Sequence, residues 1–276
     1  MDTRTLNSKR YRLLDVGGTY IKCDDGRQIP AMSGGNKGEI ATALRKAIGP
    51  YAGLAGIGVA IPGPFDYREG IFRMKHKFAA AYGESFRSLA AVPGQIELKF
   101  IHDVNVLLKG AIKVLGLEQS NTALVTLGTG LGFSYAVRGE IQTDSGGSPA
   151  LSLWNVPTPG GILEDELSAR GITGAFEAKT GEKGRSAYSI ARMAYAGNES
   201  AIEVYSAVGE KLGQALQELL EQLKIDILLV GGQISASLSL MSEPLRNALE
   251  GIRILQTPPG SVFEGLANLF DNNNQQ

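Results

Sequence analysis

The sequence has very few of the residues that form disulfides and soft metal sites. Its 276 residues include one cysteine, Cys23, and two histidines, His76 and His102. A single cysteine cannot form an internal disulfide, and so few cysteines and histidines on separate segments cannot supply a structural zinc site. We therefore expect no zinc, and we expect any catalytic metal to be held by oxygen ligands.

Strong net charge and long apolar runs are also absent. The chain has 27 Lys+Arg against 28 Asp+Glu, a net charge of -1, which gives no general attraction to nucleic acid or to an anionic membrane. No apolar stretch approaches the length of a membrane span, and the N-terminal MDTRTLNSKRYR is not followed by a hydrophobic segment with a cleavage site. These features predict a soluble cytoplasmic protein without nucleic-acid or membrane partners.

Apolar patterns in the first half of the chain alternate between strand and helix periods. In order, they predict strands RLLDV, TYIKC and QIPAM, a helix from about Glu39 to Ile48, strands LAGIGVAI and IFRMK, a short helix around Ser85 to Ala91, strand IELKFI and helix VNVLLKGAIKVLG. Strands that alternate with crossover helices are typical of an α/β sheet.

The second half begins by repeating the opening pattern. NTALVTLGTGLGFSYAVRGEI is again an apolar strand, a glycine-containing turn and a second strand, which indicates two related lobes. The remaining predictions are a loop from Gln142 to Gly161, a helical pattern in ILEDELSARGITGAF, an amphipathic helix from Ala201 to Leu223, strand DILLVGGQ, helix MSEPLRNALEG, strand RILQ, helix SVFEGLANLF and a frayed tail DNNNQQ.

Three predicted strands end in glycine-rich turns. These are Gly17-Gly18-Thr19, Gly128-Thr129-Gly130 and Gly231-Gly232. Glycine at a strand end lets backbone N–H groups point into a concavity that suits phosphate oxygens. The sequence contains no G-x-x-x-x-G-K-[ST] motif, and the first two turns lead into strands rather than helices, which disfavours P-loop and dinucleotide-binding folds.

The first turn follows a carboxylate, Asp15, within the apolar run LLDVGGTYIKC. An unpaired charge among apolar neighbours is costly, so Asp15 needs a partner, and a metal ion is one candidate. The same Gly-Gly pair is also typical of an ordinary hairpin turn.

Five segments in order, DVGGTYIK, IGVAIPGPFD, FIHDVN, LVTLGTGLGF and ILLVGGQIS, resemble the ROK family of sugar kinases in the actin/hexokinase/Hsp70 superfamily. The resemblance extends from about Leu13 to Leu269. It implies a two-lobed α/β fold of the actin-like ATPase (ribonuclease H-like) type, with a nucleotide cleft between the lobes. The lobes implied are residues 1–112 and 113–260, with a helix at about 261–270 that packs back on the first.

The resemblance also implies roles for individual residues. Asp15 would position Mg²⁺ through water. Asp103 would be the catalytic base, although an Asp before a helix is also a favoured N-cap. The implied nucleotide contacts are Gly17, Gly18, Thr19 and Lys22 at the first phosphate loop, Gly128, Thr129 and Gly130 at the second, and Gly231 and Gly232 beside adenosine.

The acceptor side departs from the family pattern. GGSPALSLW stands where the family has Gly-Glu-x-Gly-His, and the zinc cysteines are absent, as in relatives that resemble polyphosphate glucokinases. His102 replaces the usual Asn. Glu164 aligns with a sugar-contacting glutamate, or it is simply an acidic residue in the first turn of a helix. Lys75 and His76 are candidates for replacement contacts.

These patterns predict an ATP- and Mg²⁺-dependent kinase that phosphorylates a hydroxyl of a hexose or related sugar, with polyphosphate as an alternative donor. The alternatives are a sugar- or nucleotide-binding protein with little catalysis, and a kinase for a non-sugar alcohol such as pantothenate. ROK repressors carry a DNA-binding domain before the first glycine turn, and the residues before Leu13 are too few for one. The resemblance also allows a homodimer.

Overall fold

The computed structural model describes residues 4–6 and 9–271, so most of the predicted C-terminal tail lies outside the described residues. The chain forms two compact units. The first contains the described residues up to Gly116, Thr143–Ala150, and the described residues from Pro258 onward. The second contains Leu117–Gln142 and Leu151–Thr257. Within the described residues, no helix combines the length and apolarity needed to cross a membrane.

The first unit is built on a six-stranded sheet. Its strands are β1 (Arg4–Leu6), β2 (Lys9–Val16), β3 (Tyr20–Cys23), β4 (Gln28–Pro30), β5 (Leu54–Ile61) and β8 (Glu97–His102), and a separate hairpin joins β6 (Phe65–Asp66) to β7 (Ile71–Phe72). The main order is β4-β3-β2-β5-β8, in which β2, β3 and β4 are antiparallel while β5 and β8 are parallel to β2. The helices of this part are α1 (Lys37–Ile48), α2 (Phe86–Ala90) and α3 (Asp103–Leu115).

The second unit repeats this strand order. Its sheet runs β11-β10-β9-β14-β15, with three antiparallel strands followed by two parallel ones. The elements are β9 (Thr122–Leu127), β10 (Leu131–Val137), β11 (Glu140–Ile141), β12 (Pro157–Thr158), β13 (Gly161–Ile162), α4 (Leu163–Leu167), α5 (Ala169–Thr180), α6 (Ala187–Tyr195), α7 (Glu199–Gln222), β14 (Ile227–Gly231), α8 (Leu238–Ala248) and β15 (Arg253–Gln256). The repeated pattern in the sequence therefore corresponds to a repeated topology.

The last helix, α9 (Ser261–Asp271), packs on α3 within the first unit. The two backbones approach so closely that a Cβ at Gly110 would overlap the carbonyl oxygen of Ser261, and one at Gly265 would overlap that of Val106. Only glycine allows this approach without a shift of backbone. The contact fixes α3, the helix that begins at Asp103.

Each unit has its own apolar core. In the second unit the predicted stripe of α7 is buried at Ala201, Tyr205, Val208 and Leu212. In the first unit the sheet packs on α1 through buried side chains that include Leu14, Ile21, Ile40 and Leu44. The turns that follow the central strands are therefore held on rigid elements.

Several predicted elements differ in extent. The strand predicted at IFRMK is confined to Ile71–Phe72, and the helix predicted at MSEPLRNALEG begins earlier, at Leu238. The pattern ILEDELSARGITGAF forms two helices that meet at Ser168, and the loop 142–161 contains the short strand β12. Helix α6 was not predicted, although its buried residues Ala187, Ile190, Ala191 and Ala194 recur at the spacing of one helix face.

Candidate functional site

Asp15 lies one residue before the end of β2, where the hairpin places it opposite Lys22. Its Oδ2 atom is 3.3 Å from Nζ of Lys22, and the carboxylate is 18% exposed. Burial raises the pKa of Asp15 and the charge of Asp103 adds to this, whereas Lys22 opposes it. Burial is the largest of these effects and the ion pair with Lys22 does not cancel it, so a further cation would stabilise the ionised carboxylate.

The turn after Asp15 is fixed by backbone and side-chain hydrogen bonds. The N–H of Gly17 donates to the carbonyl of Tyr20 at 2.9 Å, and the hydroxyl of Ser33 donates to the carbonyl of Gly18. The carbonyl of Thr19 accepts from the N–H of Ala31 at 2.9 Å. These bonds use the carbonyls of Gly18 and Thr19, so the shape of the turn does not depend on the N–H groups of those two residues.

Asp103 is the first residue of α3 and follows directly on β8. Its Oδ1 atom lies 2.8 Å from Nδ1 of His102 and accepts the backbone N–H of Val104 at 2.8 Å. The N-cap of α3 is His102, so the alternative of Asp103 as the N-cap residue is wrong. Its carboxylate accepts the N–H of Val104, the second residue of the helix, whereas in the usual capping geometry that acceptor belongs to the residue before the helix.

The surroundings of Asp103 keep it ionised. Burial would raise the pKa of Asp103, but the hydrogen bond and charge of His102, the N–H of Val104 and the charge of Lys77 together lower it. The side chain is still 39% exposed. Asp15 and Asp103 lie near the carboxyl ends of β2 and β8, with β5 between them, which separates the strands by roughly 10 Å. The first unit therefore places two carboxylates, Asp15 and Asp103, near the carboxyl ends of its parallel strands, the first with a raised pKa and the second with a lowered one.

The segment Thr143–Ala150, which contains the sequence GGSPA, packs in the same unit. Gly147 lies against Tyr67: a Cβ built on Gly147 would be 3.3 Å from the Cβ of Tyr67. The carbonyl of Gly147 also accepts a hydrogen bond from Nδ2 of Asn105 at 3.2 Å. The ring of Tyr67 lies 5.8 Å from the ring of His102, measured between centroids. Tyr67 and Asn105 were not predicted as site residues, although Asn105 stands two positions after Asp103 in FIHDVN.

The predicted replacement contacts lie in the segment that follows β7. Lys75 places Nζ 5.6 Å from the centroid of the Tyr82 ring, and His76 is exposed. It is the next residue, Lys77, whose side chain runs along Gly18 in the first glycine turn. No pattern in the sequence distinguishes Lys77 from the other residues of the run KHK.

In the second unit, Glu164 at the start of α4 supports the glycine turn between β9 and β10. Its Oε2 atom accepts the N–H of Leu131 at 2.9 Å and lies 2.8 Å from where a Cβ on Gly130 would be. Its Oε1 atom accepts from Arg170 at 3.0 Å. The carbonyl of Gly128 in the same turn accepts from Ala169 at 2.8 Å. Glu164 is thus placed at the second predicted phosphate loop, and Thr129 stands at the tip of that turn.

Gly231 and Gly232 adjoin the same turn. In the parallel pairing of β9 with β14, Gly231 is opposite Thr126. Gly232 has φ of 82°, and a Cβ there would overlap the carbonyl oxygen of Leu127 and lie 2.9 Å from its nitrogen. Both the positive φ and the close approach require glycine.

No family model matches this sequence, and no curated protein matches it. Solved structures do. A ROK family glucokinase from Streptomyces griseus in complex with glucose and AMPPNP is 18% identical, with a TM-score of 0.74 over 93% of this chain and 97% of that one. A ROK family protein from Streptococcus pneumoniae in complex with sucrose is 18% identical, with a TM-score of 0.74 over 96% and 99%. A ROK family transcriptional regulator, a homolog of the E. coli MLC protein, is 16% identical, with a TM-score of 0.72 over 94% and 80%.

Proposed function

We propose that this chain is an ATP- and Mg²⁺-dependent kinase that phosphorylates a hydroxyl of a hexose or a related sugar. The proposal starts from the α/β fold, which the chain shares with solved ROK family proteins and which confirms the predicted fold class. The observation that carries the proposal is the ionised Asp103, held at the start of α3 in the same unit as Asp15 and the Gly17–Thr19 turn. The glucokinase of this fold that binds glucose and AMPPNP supports it.

Asp103 is the general base in this proposal. His102 and Val104 both contact its Oδ1 atom, which fixes the carboxylate and leaves Oδ2 to accept the proton of the acceptor hydroxyl. The hydroxyl oxygen then forms a bond to the terminal phosphorus of the donor, and the bond from that phosphorus to the bridging oxygen of ADP breaks. Because the pKa of Asp103 is lowered, the base is ready to act at neutral pH.

Asp15 is the residue proposed to hold Mg²⁺, through water. The fit rests on a partly exposed carboxylate whose pKa remains raised beside Lys22. Carboxylate and water are the oxygen ligands that Mg²⁺ prefers, and the bound ion would supply positive charge to the donor phosphates.

The donor phosphates are proposed to bind at the glycine turns, which are Gly17, Gly18 and Thr19 in the first unit, with Lys22 close by, and Gly128, Thr129 and Gly130 in the second. The N–H groups of Gly17 and Gly128 donate within their own turns, to Tyr20 and Gly130, so the proposed phosphate donors are the N–H groups of the other four residues. Gly231 and Gly232 are proposed to lie beside adenosine. His102, Glu164 and His76 remain candidates for sugar contacts, although both oxygens of Glu164 already accept hydrogen bonds from the protein.

A binding protein with little turnover is the second candidate. It is favoured by the GGSPAL loop, which packs on Tyr67 and lacks the Glu and His of the family motif. A regulator with the same fold is consistent with it.

The deciding experiment measures ADP release and phosphorylated product with ATP and with polyphosphate as donors. The acceptors are a panel of hexoses, amino sugars and pantothenate, and Asp103→Asn serves as the inactive control. Turnover of a sugar that is lost in Asp103→Asn supports the kinase. Nucleotide or sugar binding without turnover on any acceptor would favour the binding protein, and turnover of pantothenate alone would identify a kinase for a non-sugar alcohol.

A further inference from the structure

The segment that carries Lys77 is anchored to the first glycine turn through Ser33. The carbonyl of Ser33 accepts the N–H of Phe78 at 2.7 Å, and its hydroxyl donates to the carbonyl of Gly18. The ring of Phe78 is fully buried, 5.6 Å from the ring of Phe72 between centroids. Because Phe78 is fixed in the core and Ser33 bridges it to Gly18, the position of Lys77 beside the turn follows from the packing of its neighbours.

The side chain of Lys77 lies along Gly18. From the position that a Cβ on Gly18 would occupy, Cδ of Lys77 is 3.2 Å away, Cε is 3.3 Å away and Nζ is 3.6 Å away. The ammonium group is also close enough to Asp103 for its charge to act on that carboxylate. Within the described residues Lys77 makes no ion pair at salt-bridge distance, whereas Lys22 pairs with Asp15 and Lys37 with Glu84.

A lysine in this position has a positive charge near both ends of the proposed reaction. The turn at Gly18 is the proposed phosphate loop, and Asp103 is the proposed base that receives the proton of the acceptor. The phosphoryl group passes from the first toward the second, with negative charge spread over its oxygens. Lys77 is exposed, and a cation beside that path stabilises the charge where it develops.

We propose that Lys77 binds the terminal phosphate of the donor and stabilises it during transfer. The inference rests on the proposed kinase function. Lys77 keeps its protons throughout: its ammonium donates hydrogen bonds to the phosphoryl oxygens, while the acceptor proton goes to Asp103 and the leaving oxygen stays with ADP. A nucleotide that lacks the terminal phosphate makes no such contact, so the role of Lys77 separates ATP-like ligands from ADP.

A purely structural role for Lys77 gives different expectations. Its aliphatic chain covers Gly18, and if this were its only role, removing the charge would leave the difference between the two nucleotides unchanged. The test therefore compares two ligands on one variant rather than activity alone.

The experiment measures AMPPNP and ADP affinity by calorimetry, with Mg²⁺, for wild type, Lys77→Gln and Lys77→Arg. Lys46→Gln is the matched control, since Lys46 is an exposed lysine on α1 of the same unit and has no part in the proposed site. For Lys77→Gln we expect AMPPNP to bind about 10-fold more weakly and ADP to bind within about 2-fold of wild type. Lys77→Arg should recover part of the loss, and Lys46→Gln should bind both nucleotides normally.

Kinetics on the acceptor found for the wild type provide a second measurement. In Lys77→Gln we expect kcat to fall by about 10²–10³-fold with the KM for the sugar little changed. Equal effects on AMPPNP and ADP, or no effect on either, would overturn the inference even if the wild type is an active kinase. A wild type that binds nucleotide but phosphorylates nothing would overturn the proposed function, and the two-ligand comparison would still decide the role of Lys77.

Discussion

The two glycine hairpins of this protein have the same place in their sheets but different chemistry. In the first, Asp15 stands one residue before the end of β2 and faces Lys22 across the hairpin. In the second, the corresponding position of β9 is Thr126, which faces Gly132. The fold repeats the backbone of the turn, whereas the charged groups occur in one copy. Under the proposed kinase function, the first hairpin would therefore take part in the reaction and the second would serve binding.

The supports of the two turns differ in the same sense. A neutral hydroxyl, that of Ser33, braces the first turn at the carbonyl of Gly18. A carboxylate, that of Glu164, braces the second at the N–H of Leu131, and Arg170 neutralises it. The shape of the first turn is thus supported by a neutral side chain, which leaves its charged groups available to a ligand. The shape of the second turn is supported by a charged side chain, Glu164. Substitutions in each copy can test this division.

The largest effect is expected at Asp103, in the charged copy. Asp103→Asn keeps the shape of the side chain and can still accept the N–H of Val104 through its amide oxygen, but it cannot accept the hydroxyl proton. We expect kcat to fall by about 10²–10⁴-fold, with nucleotide affinity little changed. Steady-state kinetics and calorimetry measure the two quantities on the same sample.

Asp103→Ala provides the control for folding. Loss of the contact with Val104 should cost about 1 kcal/mol of unfolding free energy, which denaturant unfolding measures. If the Asp103→Asn protein were fully active, Asp103 would not be the catalytic base. The proposed chemical difference between the first and second copies would then be wrong.

The next effect concerns the backbone of the second copy. Gly232→Ala adds a Cβ at a positive φ and against the backbone of Leu127, so we expect about 2–4 kcal/mol of destabilisation. In Gly18→Ala the Cβ meets only the flexible end of Lys77, and we expect a cost of less than about 1 kcal/mol. Similar unfolding free energies for the two variants would contradict the view that the second turn is the more rigidly determined.

A smaller effect is expected from Glu164→Gln. The amide oxygen can still accept from Leu131, but the ion pair with Arg170 is lost, so the second turn should loosen without unfolding. We expect the affinity for AMPPNP to fall by about 3–10-fold, or roughly 1 kcal/mol. Glu166→Gln is the matched control, since Glu166 lies on the same helix and pairs with Lys211. If Glu164→Gln changes the KM for the sugar instead, Glu164 is a sugar contact.

The smallest expected effect is on the pH dependence of kcat/KM. Asp103 must be ionised to act as the base. Because its pKa is lowered, the acid limb of the profile lies below the usual range of an aspartate, and activity falls only as the pH drops through that lowered pKa. Since Lys77 helps to lower the pKa of Asp103, Lys77→Gln should shift the acid limb to higher pH. The wild-type and Lys77→Gln profiles are recorded over the pH range in which both proteins are stable. Coincident acid limbs would contradict the expected shift.

Much of the fold follows from local patterns in the sequence. The alternation of LLDV and YIKC around Gly17-Gly18 predicts a hairpin, and the repeat of that pattern at Leu127–Leu131 predicts a second. The position of Asp103 between a strand and a helix is local in the same way. Helix α6 is encoded locally too, since Ala187, Ile190, Ala191 and Ala194 recur at helical spacing, but it was not predicted.

The sequence by itself therefore determined the two glycine hairpins, the carboxylate before the first and the aspartate at the start of α3, because each depends on residues within a few positions of one another. The tertiary structure alone decided that Lys77, rather than Lys75 or His76, lies along Gly18. It also decided that Glu164 braces the turn before Leu131. These contacts join residues that are dozens of positions apart, and they depend on where Phe78 and the start of α4 pack, which no local pattern encodes.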